Sequence, residues 1–237
     1  MPDWLEIRSD PLVKKTIRAT LLEPRPMIKR TPPLRAPHLK LLFDRAFSPS
    51  ANYDDLLALA ITVAGFGGLM RLGELVAPTV VEDRDSRKII KRDSVVVNPG
   101  VSFSFNLPYH KADPFYKGSE IAIVKENSTS DFNFVRVLHS YLKLRDKLVP
   151  SSPVLFVRLD GSQPSRRWYL RYLTSIDSTL SGHSLRSGGA TYLGNLGVPA
   201  ELICRLGRWT SDSWKIYLRD HASVSLEISR KVLARRH

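Results

Sequence analysis

The chain has 237 residues with 36 Lys or Arg against 23 Asp or Glu, a formal charge of +13 and a pI near 10. Such a balance points to a polyanionic partner, nucleic acid before anionic membrane, and a hydrophobic share of 43% supports one large domain, or one domain with a fragment. Its one cysteine, Cys204, excludes an internal disulfide and a Cys-rich zinc site. No secretory signal opens the sequence. The longest apolar run, Leu56 to Met70, falls short of the ~20 residues a membrane span needs, so a soluble, intracellular protein is expected.

In chain order, Leu12, Ile17 and Leu21 predict a helix over 11–22. Residues 23–38 carry five prolines among basic residues, including Lys29, Arg30 and Arg35, and read as an extended linker. Helices are predicted over 38–47 and over 53–76, the second primed by Asp54 and Asp55. Residues 88–91, 94–97, 101–107 and 120–124 read as strands of a small antiparallel sheet, with 101–107 alternating at period two. The connection 108–118 between the last two carries turn residues and Lys111 and Lys117. Further helices are predicted over 132–148 and 165–176, with a short extended piece at 153–157 between them. A small-residue helix over 184–196 ends at Gly197. Pro199 starts another that Gly207 stops. Ser211 caps a helix bearing Tyr217, and a basic helix spans 223–236.

Three segments carry chemistry. Gly67-Gly-Leu-Met-Arg71-Leu-Gly-Glu74 sets an arginine inside an apolar run. His183-Ser-Leu-Arg186 spaces two polar groups by three residues, which puts them on one helical face or at a helix N-terminus. Leu206-Gly-Arg208-Trp209-Thr-Ser-Asp212 leads to Tyr217. Together these supply what attack on a phosphodiester needs: fixed cations for the non-bridging oxygens, a nucleophile, and room for an acid. Arginine suits the first task because it stays charged and offers a planar fork of donors. The plainer reading of Arg71 is an ion pair with Glu74 one turn away. No cluster with metal-ligand spacing and no phosphate-cradling glycine loop is visible, so neither a metal nor another cofactor is expected.

These segments resemble the tyrosine recombinase (phage-integrase-like) family over roughly residues 36–237, and look most like the Crypton and DIRS-like mobile-element branch. The resemblance implies a mainly α-helical catalytic domain with a small antiparallel β-sheet. Residues 1–35 would then be a remnant helix of an N-terminal core-binding domain and its basic linker. It implies Tyr217 as nucleophile, Arg71 and Arg186 as phosphate clamps, and His183 as a phosphate donor or proton acceptor. Glu74 would orient Arg71. The family's second histidine or tryptophan falls on Arg208 or on Trp209, depending on how the turn is counted, with Trp209 favoured. A lysine on the β-hairpin serves as acid, here Lys111, with Lys117 as the alternative. Lys29, Arg30, Arg35, Arg166 and Arg167 would contact DNA.

The implied function is site-specific recombination or integration of double-stranded DNA through a 3′-phosphotyrosyl intermediate. It would be carried out by a dimer or tetramer on the DNA, in the nucleus of a eukaryotic host or in the cytoplasm and nucleoid of another. The rival readings are a type IB topoisomerase-like enzyme and a domesticated, non-catalytic DNA-binding protein.

Overall fold

The computed structural model describes residues 9–22, 31–111, 113, 115–125 and 132–210. The chain divides into two units, Met1–Arg30 and Thr31–His237. In the first, helix α1 (Pro11–Leu22) starts where Asp10 accepts the amide of Leu12 at 2.7 Å, a capping bond that satisfies an otherwise unpaired donor.

The second unit runs α2 (Ala36–Ala46), α3 (Tyr53–Gly67), α4 (Leu72–Leu75), β1 (Val96–Asn98), β2 (Ser102–Leu107), β3 (Ser119–Val124), α5 (Phe134–Leu148), α6 (Arg166–Ile176), α7 (Gly182–Asn195) and α8 (Ala200–Leu206). The strands form one antiparallel sheet in the order β1-β2-β3. Phe103 pairs with Ile123 and Phe105 with Ile121. All four are buried, so one face of the hairpin packs into the core while the other stays wet. Each such side chain contributes roughly 1.5–3 kcal/mol by leaving water.

α3 is the core helix. Thirteen of its fifteen residues are buried, from Tyr53 to Phe66 with only Asp54 and Gly67 excepted. Asn52 caps it by accepting from the Asp55 amide at 3.0 Å, and Asp55 accepts the Asn52 amide in return. Against α3 packs α7, whose small residues permit close approach. A Cβ on Gly189 would collide with the Phe66 carbonyl, so only glycine fits there.

The structure corrects three expectations. The helix predicted over 53–76 breaks after Gly67: Leu69 takes a left-handed φ of 48°, and the chain restarts as α4 at Leu72. Residues 86–88 form a 3-10 turn rather than a strand, because Asp85 caps it by accepting the Arg87 amide at 3.0 Å. Lys91 alone pairs there, in an isolated antiparallel bridge to Val154 among the described residues. Third, α2 begins at Ala36, inside the predicted linker, with Pro37 in its first turn, where a missing N–H costs nothing.

Candidate active site

A cleft of about 620 Å³ gathers residues from several separated stretches. Arg71 and Glu74 enter from the break after α3, Lys111 from the β2–β3 connection, Arg166 from the start of α6, and His183 and Arg186 from the first turns of α7. Six arginines and lysines line it against three carboxylates, so the wall is net cationic.

The floor is built around Arg186. Its side chain is on a helix, yet the residue is only 5% exposed. One guanidinium nitrogen donates to the Leu69 carbonyl at 3.0 Å, and the other donates to the Gly207 carbonyl. The break after α3 is therefore explained locally. Within a continuous helix the Leu69 carbonyl would be committed to the ladder; in the left-handed turn it is free to accept from Arg186. The Trp209 ring lies 4.1 Å from the guanidinium carbon, a cation–π contact. Gly207 makes room for that ring, since a Cβ there would occupy the indole's position.

The helix stops at Gly207, as the sequence predicts. Gly207 has a right-handed φ of −77°, and it is Arg208 that turns left-handed, at 55°. The turn points the Arg208 side chain back into the protein. It donates to the Leu206 carbonyl at 3.0 Å and lies 3.6 Å from the Glu74 carboxylate. Burial pushes its pKa below the usual arginine value, and Glu74 opposes that shift. Neither Arg208 nor Trp209 lines the cleft: Arg208 braces Glu74, whereas Trp209 supports Arg186.

Arg71 begins α4. Glu74 accepts its backbone amide at 2.9 Å and its guanidinium at 2.9 Å. The ion pair is thus present, and it fixes a guanidinium that still faces the cleft, its side chain 36% exposed. His183, exposed, stands at the N-terminal turn of α7, where Ser181 accepts its backbone amide at 3.2 Å. The positive end of the helix dipole there favours an anion in front of it.

Tyr109, His110 and Lys111, which follow β2, also line the cleft. Lys111 is exposed; Lys117, also exposed, does not line the cleft. His110 was missed as a site residue, because a lone histidine in a turn carries no spacing signal. It is 8% exposed and bonds Ser119 Oγ through Nε2 at 3.1 Å. Its buried Nδ1 finds no partner among the described residues. Burial lowers its pKa, with Arg208 and Arg71 adding to the shift and Glu74 and Asp113 opposing it.

Of the other nominated residues, Arg166 lines the cleft, whereas Arg35 and Arg167 are exposed elsewhere on the surface. Lys29, Arg30, Tyr217 and the helix predicted over 223–236 lie outside the described residues. No group of three or more His, Cys, Asp or Glu that could hold a metal occurs among the described residues. No helix among them is long and apolar enough to cross a membrane.

Solved structures share this architecture. XerA recombinase aligns with a TM-score of 0.59 and 21% identity over 93% of this chain and 71% of its own. The fold is that of the tyrosine recombinase catalytic domain. XerH site-specific recombinase, in a post-cleavage complex with a palindromic difH substrate, aligns at 0.58 and 14% identity over 84% of this chain and 52% of its own. A lambda integrase dimer bound to a COC′ core site aligns at 0.52 and 14% identity over 90% of this chain and 55% of its own. The chain thus spans about half the length of the XerH and lambda integrase chains. No protein-family model and no curated protein matches the sequence.

Proposed function

We propose that the chain is the catalytic part of a site-specific DNA recombinase or integrase that breaks and rejoins strands through a 3′-phosphotyrosyl bond. The observation that carries this reading is the convergence of Arg71, Lys111, His183 and Arg186 on one cationic cleft from stretches far apart in sequence. The neighbours of the same fold support it, since XerH and lambda integrase are seen bound to DNA, XerH after cleavage.

In this reading the scissile phosphate enters the cleft with its non-bridging oxygens toward Arg71 and Arg186, at the N-terminus of α7. Fixed donors there stabilise the charge that grows on those oxygens during attack. The Tyr217 phenol, ordinarily protonated at neutral pH, is made more acidic by the nearby guanidinium groups, and His183 takes its proton. The phenolate attacks phosphorus, the 5′-oxygen leaves, and Lys111 protonates it. A 5′-hydroxyl from a partner strand reverses the step, so the phosphotyrosyl bond conserves the energy of the broken linkage. Trp209 takes the family's histidine-or-tryptophan position through its contact with Arg186, and Arg208 acts through Glu74. The DNA-binding surface extends to Arg166 on the cleft and to Arg35 and Arg167 outside it.

Within this class the sequence resemblance to Crypton and DIRS-like recombinases supports the reading of a mobile-element enzyme, acting as a dimer or tetramer on DNA in the nucleus of a eukaryotic host or in the cytoplasm and nucleoid of another. The test is a duplex nicked next to the cleavage site, from which the short 5′-hydroxyl fragment diffuses away. A covalent protein–DNA adduct mapping to Tyr217, and lost in Tyr217→Phe while duplex binding persists, is expected. Adduct formation by Tyr217→Phe moves the nucleophile elsewhere, and absence of any adduct with the native chain overturns an enzymatic reading.

A further inference from the structure

The β2–β3 connection carries the lysine on which the proposed chemistry depends, and the described part of it has no regular structure. What keeps Lys111 facing the cleft is a separate question from what Lys111 does there. Two facts bear on it. Tyr116, in the same connection, adopts a left-handed φ of 55°. A bulky residue in that conformation is strained and persists only where its surroundings over-determine it. The surroundings here come from a different loop, the one ahead of the 3-10 turn Ser86–Lys88. Asp85 accepts a hydrogen bond from the Tyr116 hydroxyl at 3.1 Å.

Asp85 is itself tightly held. Arg87 donates to both of its carboxylate oxygens, at 3.0 and 2.9 Å. That pairing, with help from Tyr116, keeps its carboxyl well below the usual carboxylate range. Arg87 also lies over the Tyr116 ring at 4.9 Å, and Tyr116 packs on Tyr109 with centroids 4.9 Å apart. Lys88 covers Tyr109 at 4.6 Å. Tyr109 is two residues before Lys111, and the intervening His110 is pinned to Ser119 at the start of β3. Lys111 therefore stands on a pedestal fastened on both sides, to the 85–88 turn through the two tyrosines and to β3 through His110. Both Asp85 and Lys88 line the same cleft.

We propose that Asp85 is a positioning residue of the reaction: through Tyr116 and Tyr109 it straps the β2–β3 connection in place so that Lys111 is presented to the leaving 5′-oxygen. This rests on the proposed strand-cleavage function and names a residue that the function did not require. An ordinary surface ion pair has no such dependence, since exposed pairs contribute little on their own. Here the carboxylate is the partner of the strained tyrosine's hydroxyl among the described residues.

The experiment compares single-turnover cleavage of one duplex in two forms, with an ordinary phosphodiester and with a bridging 5′-phosphorothiolate at the scissile position. The thiolate leaves without a proton donor. Asp85→Asn and Tyr116→Phe are each expected to be about tenfold slower on the ordinary duplex, short of the ~10²–10⁴ lost with a general acid itself, and near normal on the phosphorothiolate. The double variant is expected to be no slower than either single one. Amide exchange over the described part of 108–118 is expected to quicken in Asp85→Asn. Equal slowing on both duplexes overturns the proposal in favour of a purely structural ion pair, as does unchanged exchange or an additive double variant. Lys111→Ala, run alongside, separates the two levels. If it shows no selective rescue while exchange still quickens in Asp85→Asn, the lysine's role as acid is what fails, and the strap's link to catalysis fails with it.

Discussion

Arg186 and Lys111 line the same cleft, and the protein holds them in opposite ways. Arg186 is 5% exposed, bonded to two backbone carbonyls and covered by an indole. Lys111 stands exposed on an irregular connection. The contrast fits the two different tasks proposed for them. A group that must stabilise charge on a phosphate works best when its orientation is settled before the substrate arrives. A proton donor has to reach an atom that moves as the bond breaks, and a long side chain on a braced loop can follow it. Rigidity here is spent on the floor, while the rim is merely fastened.

The largest effect that sharpens this comparison is at Arg186. Arg186→Ala should lower single-turnover cleavage by ~10²–10³ or more. It should also destabilise the fold, because each buried carbonyl left without a donor costs about 1–3 kcal/mol. Chemical denaturation together with cleavage kinetics reads both. A variant that loses activity with unchanged stability breaks the claim that one guanidinium does both jobs.

Lys111→Ala should lose ~10²–10⁴ in rate on ordinary DNA with no change in stability, and recover on a bridging phosphorothiolate. Arg186→Ala should not recover. If Lys117→Ala is the variant rescued instead, the rim has been assigned to the wrong lysine. Next in size is Gly189→Ala, which forces a methyl group against the Phe66 carbonyl and should cost about 1–3 kcal/mol of stability, measured from the denaturation midpoint. Floor geometry should suffer with it, so cleavage falls even though the substitution lies outside the cleft.

The smallest effect concerns His110. Its folded pKa lies below the ordinary value of 6.5 because burial disfavours the charged ring. The unfolded chain therefore binds the proton more readily. Stability from this group is complete above pH 6.5 and is lost as pH falls through the lower folded value. Thermal melts between pH 7.5 and 5 should show that decline, and His110→Gln should flatten it. A variant with the native pH profile would place the titrating group elsewhere. The structural carboxylates with lowered pKa, such as Asp146 and Asp177, act in a separate window below about pH 4.

Much of the helical frame was readable. The start of α3 beside Asp54 and Asp55, the Ser165 start of α6, the alternation of Phe103 and Phe105, and the Pro199 start all carry local signals. Two features were not readable for the same reason. Leu69 and Arg208 adopt left-handed backbone angles that their side chains disfavour, so nothing in their identity announces a turn. Both turns are over-determined by distant groups, the first by Arg186 and the second by Glu74. The uncertainty between Arg208 and Trp209 had the same origin, because counting residues cannot say which way a strained turn aims its side chains. His110 and Asp85 escaped notice because their partners, Ser119 and Tyr116, become neighbours only through tertiary packing.

The bond between Arg186 and Leu69 has a kinetic corollary. It joins residues 117 apart in sequence, so a long loop must close before it can form, and contacts of that kind come late in folding. Burying a guanidinium without its carbonyls is unfavourable. The docking of α7 onto the end of α3 and the assembly of the cleft floor are therefore one cooperative event. Under the proposed function, a partly folded chain presents no half-built clamp to DNA.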